Sequence, residues 1–186
     1  MNLLDIAPRI TGRRDDTSHA SDALTQAAVG AAAGLLGTFV MQGMLAATRK
    51  WLPQGMPPIR RDPGEFMVHQ AERALPPRFM QRIPDPVEHG AAMSLHLGYG
   101  AFFGAMYGLL RGRGGGGGAR WIEGPLLGLA CWAAGYLGWL PLSGLMPPLW
   151  KQRPTQVATP AAEHALYGMA TVAAYDAIHH LIHPRD

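Results

Sequence analysis

The sequence predicts an all-α fold: a four-helix transmembrane bundle built from two tandem two-helix repeats. Three observations predict it. Four segments are long, apolar and almost free of charge. A tryptophan-proline turn followed by a His/Tyr pattern occurs twice. Glycines recur four residues apart in three of the four segments. At 186 residues the chain is sized for one compact domain. Only 16% of its residues are charged while 24 are glycine, a balance that suits a bilayer better than water. The mean hydropathy, near zero, looks soluble because the polar residues are gathered into a few blocks.

A bilayer core about 30 Å thick needs roughly 20 apolar helical residues to cross it. Residues 1–22 read as a polar N-terminal tail without structure. Residues 23–48 contain no charge; Ser21 and Asp22 suit a helix start, and Arg49-Lys50 suit its end. Residues 49–89 form a polar connection, inside which 63–75 predict a short amphipathic helix with Phe66, Met67, Ala71 and Leu75 on one side. Residues 90–110 hold His96 as their one ionisable group and complete the first repeat, 23–110. Residues 111–120, with Gly114 to Gly118, read as a flexible linker rather than a phosphate cradle, because the run lacks a Lys-Ser/Thr ending. The second repeat, 121–186, begins with an apolar segment over 121–140 that Pro141 is expected to end. Residues 160–182 form the last and least apolar segment, with Glu163, His164, Asp176, His179 and His180.

A secretory signal fits residues 23–48 poorly, since such a core is shorter and ends in a cleavage site. A soluble bundle would need polar outer faces at helical spacing, and the first three segments are apolar all round. Gly30 and Gly34, then Gly100, Gly104 and Gly108, then Gly124 and Gly128, share helix faces and make grooves for close packing in lipid.

The repeat is specific. Trp51, Pro53, Pro57 and Pro58 return as Trp139, Pro141, Pro147 and Pro148. His96, Tyr99 and Gly100 return as His164, Tyr167 and Gly168; eight residues beyond each first tyrosine stands another, Tyr107 and Tyr175. If the two units face each other, His96, Tyr99, His164 and Tyr167 line one pocket near a membrane face, with Glu163 at its edge. An ionisable residue inside a membrane is a functional hypothesis by default, and histidine titrates between about pH 5 and 8. Three readings compete: a structural lock between helices, a pocket responsive to protons or to a small ligand, and metal or haem ligation by His96 and His164. No cofactor is expected, since haem lacks a C-x-x-C-H attachment here. A transporter or channel subunit would need a homo-oligomer, four helices leaving little room for a pathway. His179 and His183, spaced i, i+4, are a secondary metal candidate, better read as polar residues at a helix end. Trp51, Trp121, Trp139 and Trp150 read as interfacial anchors, and Asp176 as the mark of a helix end. Cys131, the one cysteine, rules out an internal disulfide framework. No nucleophile elbow, catalytic carboxylate pair or HExxH is present, so no enzyme is expected, and without a dense basic block no nucleic-acid partner either. The partner expected is the lipid bilayer.

The turn of Lys50, Trp51, Pro57, Pro58 and Arg60, the later turn from Pro141 to Leu149, and Glu163-His164 resemble the YagU-like family of small bacterial inner-membrane proteins. The resemblance spans about residues 30–182, with a connection between the first two helices that differs in length and content. It implies a bacterial inner membrane with both ends in the cytoplasm, and no reaction or ligand. The Lys and Arg count is nearly balanced, seven on the side of the termini and central linker and nine on the other. The short linker's three arginines and no acid tilt the termini towards the cytoplasm.

Overall fold

The computed structural model describes residues 7–60, 63–74, 85–112 and 120–182; within them every long element is helical and no strand occurs. Five helices follow one another: α1 (Ala7–Trp51), α2 (Pro63–Ala74), α3 (Asp85–Gly112), α4 (Arg120–Ala133) and α5 (Pro154–Ile182). The α4 rod does not stop at Ala133. It widens into a π turn over Ala134–Trp139 and closes with a last turn, Leu140–Leu142. Single 3-10 turns, Pro53–Gly55 and Leu149–Lys151, lie within or directly after the two Trp-Pro motifs.

Helix lengths differ from the sequence expectation, each for a local reason. The tail over 1–22 is helical from Ala7 onward, because once the apolar part of α1 is formed each added residue gains a backbone hydrogen bond without a new nucleus. α5 starts at Pro154, not at residue 160: a proline's fixed φ suits a first helical turn, and the helix runs on through buried Pro160. Pro141 does not end α4, because the wide turn before it already loosens the hydrogen-bond ladder into which its ring must fit. The amphipathic helix expected over 63–75 is α2, with Phe66 half-buried as expected, but its buried residue is Val68 while Met67 is exposed, because α2 rests on α3 along a face turned from the one the sequence suggested. Gly114 to Gly118 lie outside the described residues.

α1 packs along α3 on one side and along α5 on the other; α4 packs on α5; α3 and α4 meet sparingly; and α2 lies across the start of α3. Glycine closes both hairpins. A Cβ added to Gly104 would collide with the Gly30 carbonyl and the Gly34 backbone, and one added to Gly168 with the backbone of Gly124 and Gly128. The helix axes are therefore as near as backbones allow, an approach that only residues without a side chain permit.

The two Trp-Pro turns sit together. The Arg60 N–H donates to the Leu145 carbonyl at 2.9 Å, and the Thr155 hydroxyl to the Gln54 carbonyl at 3.4 Å. Beneath them Tyr136, Leu140, Leu145 and Met146 form a core, joined by Ile59, Phe66, Trp132, Trp139 and Leu149. Trp139 thus packs inward and is not the interfacial anchor its position suggested, whereas Trp51, Trp121 and Trp150 are exposed.

The apolar core, centred on Val29, Ala33, Tyr107, Val172 and Tyr175 at one end, is accompanied by buried polar groups and by large apolar side chains turned outward. Buried positions include Thr38, Glu163, His164 and Thr171, while Leu36 and Phe39 of α1, Phe102 and Leu110 of α3, Leu126 and Leu137 of α4, and Leu166 and Met169 of α5 face outward. Among the described residues two helical stretches, His19–Trp51 and Trp121–Leu142, are long and apolar enough to cross a membrane. α3 and α5 are as long as a span but fall short of that apolarity.

Candidate functional site

Polar side chains concentrate at the two ends of the bundle. At the turn end, Glu163 is 4% exposed and accepts a hydrogen bond from the Thr48 hydroxyl of α1 at 2.5 Å. It is therefore a buried group of the α1–α5 interface and not the pocket edge expected. His164, its neighbour, is also buried, and its Nδ1 lies 2.8 Å from the Pro160 carbonyl. A carbonyl only accepts, so Nδ1 carries a proton and in the neutral ring Nε2 keeps the lone pair. The Tyr136 ring stands edge-on to the imidazole, with centroids 5.6 Å apart at 80°. Trp132, one turn earlier, stacks on Tyr136 at 5.9 Å and 21°. The π turn positions Tyr136: its extra residue re-aims the side chains that follow, and Gly138 leaves helical geometry inside it at φ −97°, ψ −111°. The Trp132 indole N–H is buried with no acceptor among the described residues.

No side-chain hydrogen bond joins His96, Tyr99, His164 and Tyr167 to one another among the described residues. His96 is on the exposed side of α3, though close enough to His164 to interact with it electrostatically. The Tyr99 hydroxyl donates to the Cys131 carbonyl of α4 at 3.1 Å, and the buried Tyr167 hydroxyl to the Gly100 carbonyl of α3 at 2.7 Å. Both tyrosines thus spend their hydroxyls tying helices together. Tyr167→Phe is expected to lower stability by about 0.5–1.5 kcal/mol, the net scale of one intramolecular hydrogen bond, read as a lower melting midpoint with the fold retained.

The linker end holds a cluster that the sequence reading did not assemble. Tyr107 and Tyr175 meet edge-to-face, 5.2 Å between centroids at 84°. The Tyr107 hydroxyl donates to the Glu123 carboxylate at 2.8 Å. Arg111 pairs with the same carboxylate and lies 3.9 Å from Asp176. The Tyr175 hydroxyl donates to Gln26 of α1. All four long helices contribute. Burial works against the charged Arg111 guanidinium, but Tyr107, Glu123 and Asp176 around it outweigh that and hold its pKa above the ordinary value. Asp176 is thus an ion-pair partner as well as a residue near a helix end. The available signal was the second doubled tyrosine, with Arg111 one turn beyond Tyr107 and Asp176 directly after Tyr175.

Between the two ends, the buried face of α5 carries Tyr167 and Thr171, whose hydroxyl is 2.9 Å from the Tyr167 carbonyl. Glu163 and Asp176 lie roughly 20 Å apart along this helix. His179 contacts Tyr175 at 5.9 Å, while its expected metal partner His183 lies outside the described residues. No group of three His, Cys, Asp or Glu that could hold a metal ion occurs among the described residues.

Comparisons with protein-family models, with curated proteins and with solved structures each give no match for this chain.

Proposed function

We infer that the chain is a multi-pass membrane protein, its α1/α3 and α4/α5 hairpins being two related units that thread the lipid four times. Its turn-end site, Glu163 and His164 against Tyr136, answers to protons or to a small polar ligand. The observation that carries this is the burial of a carboxyl and an imidazole on successive residues within a bundle that turns leucines, phenylalanines and tryptophans outward. Ionisable groups in a membrane interior are costly, so they are kept where they act. Thr48 of α1 bonds Glu163 and the Tyr136 ring abuts the His164 imidazole, so a change of charge at this pair is felt beyond α5. The YagU-like resemblance of the turns supports a bacterial inner membrane, and the arginine-rich short linker supports termini in the cytoplasm. No enzymatic activity is assigned to it.

The test compares melting midpoints of the detergent-purified chain between about pH 5 and 8, the range over which a histidine changes charge. Wild type is expected to show a midpoint that falls towards the acid end, where the buried imidazole is driven to take up a proton, and His164→Gln flattens it. A wild-type pH profile unchanged in His164→Gln would remove the site. The alternative of a membrane haem has one supporting observation, the Nδ1 tether of His164, which leaves Nε2 as the ligating nitrogen. A Soret band lost in His164→Gln would favour it.

A further inference from the structure

We propose that the end of the bundle bearing the two Trp-Pro turns is a docking face for anionic phospholipid headgroups. The proposal rests on the membrane reading above and adds a ligand to it, at a place separate from the Glu163–His164 site.

Charge is divided unevenly along the chain. Residues 49–89 and 151–153, which enter and leave the turns, hold nine Lys and Arg against five Asp and Glu. All the other stretches, buried Glu163 aside, hold seven against seven. The positive charge of the protein therefore belongs to the turn segments. There Arg49, Lys50, Arg60, Lys151 and Arg153 are exposed, and none has an ion-pair partner among the described residues. Arg111, at the opposite end, is engaged by two carboxylates.

Large apolar groups stand beside these exposed cations. Trp51 is 71% exposed, Trp150 83% and Leu142 87%. A lysine adjoins a tryptophan before the first turn, as Lys50-Trp51, and after the second, as Trp150-Lys151, and the Lys50 ammonium lies 5.4 Å from the Trp51 ring centroid. An exposed indole at a span's end belongs at the depth of lipid headgroups, which sets the adjacent ammonium within reach of a phosphate. A free phosphate would have no use for the two indoles and the leucine; a phosphate carried on acyl chains uses both kinds of group. The Arg60–Leu145 and Thr155–Gln54 hydrogen bonds join the two turns, so both Lys/Trp pairs belong to the same end of the bundle.

The experiment is native mass spectrometry of the full chain in detergent, offered phosphatidylglycerol and phosphatidylcholine at equal concentration. Wild type is expected to retain phosphatidylglycerol preferentially. In Lys50→Gln/Lys151→Gln that preference falls by roughly fivefold per lysine removed, and retention of phosphatidylcholine is unchanged. Equal retention of the two lipids by wild type, or an undiminished preference in the double variant, overturns the proposal. Should the double variant misfold, seen as altered phosphatidylcholine retention, the wild-type salt response decides: a preference that does not weaken as ionic strength rises overturns it. Release of the chain from membranes by alkaline carbonate would remove the membrane reading itself, a result distinct from a membrane-embedded chain that ignores headgroup charge.

Discussion

Gly104→Leu is expected to separate α1 from α3 and to abolish most of the folded protein. A Cβ at Gly104 meets backbone on the facing helix: the Gly30 carbonyl, and the Gly34 Cα and N at 2.8 and 2.9 Å. None of these is the end of a flexible side chain, so the clash can be relieved only by moving one helix away from the other. Overpacking of an ordinary core costs about 1–3 kcal/mol, because neighbours can shift. Here the whole seam from Gly108 to Gly100 would have to open, which also strips Thr38 and Gly34 of their close partners, so the cost lies at or above about 3 kcal/mol. Gly98→Leu, on the same helix, is the matched comparison, since nothing lies within 4 Å of a Cβ there. It is expected to leave the melting midpoint and the monodisperse fraction on a sizing column near wild type. Equal behaviour of the two variants would show that the α1–α3 seam is not where these glycines place it.

The helical class, the glycine seams and the amphipathic α2 were legible because each is a local periodic signal. Gly30, Gly34, Gly100, Gly104 and Gly108 announce close packing by spacing alone, and α2 is announced by its amphipathic composition, although that composition puts its buried side on Met67 where the helix buries Val68. The site was legible only in part. The tyrosines of the repeat were visible, but whether a hydroxyl faces a pocket or reaches across to a neighbour's carbonyl depends on interhelical distance, which spacing does not carry. Tyr99 and Tyr167 therefore looked like pocket residues and are ties. Tyr136 gave no signal, because the π turn that aims it at His164 breaks the 3.6-residue period on which a helical reading depends. Glu163 looked like an edge group because its partner Thr48 is more than a hundred residues away in sequence. The Arg111 cluster was hidden for the same reason: Glu123 and Asp176 come from different helices, and only the bundle brings them to one guanidinium.

That guanidinium leads to the second large effect. Arg111→Leu leaves the Glu123 and Asp176 carboxylates without their cation at the place where α3, α4 and α5 converge. The side chains are 13%, 24% and 16% exposed, so water screens them in part. Removing one partner of a fully buried pair costs about 3–5 kcal/mol, and partial exposure lowers the expectation to about 2–3 kcal/mol. Much of that loss comes from the stranded charge rather than from the bond, which gives the prediction its second arm. Glu123→Gln keeps an oxygen that can accept from the Tyr107 hydroxyl but removes one negative charge. In the Arg111→Leu background it should restore stability, although alone it destabilises. The melting midpoints of wild type, both single variants and the double variant in one neutral detergent make a closed cycle. A coupling below about 0.3 kcal/mol, the additivity expected of independent sites, would mean that Arg111 and Glu123 do not form the ion pair described and that the linker end is held by its tyrosines alone.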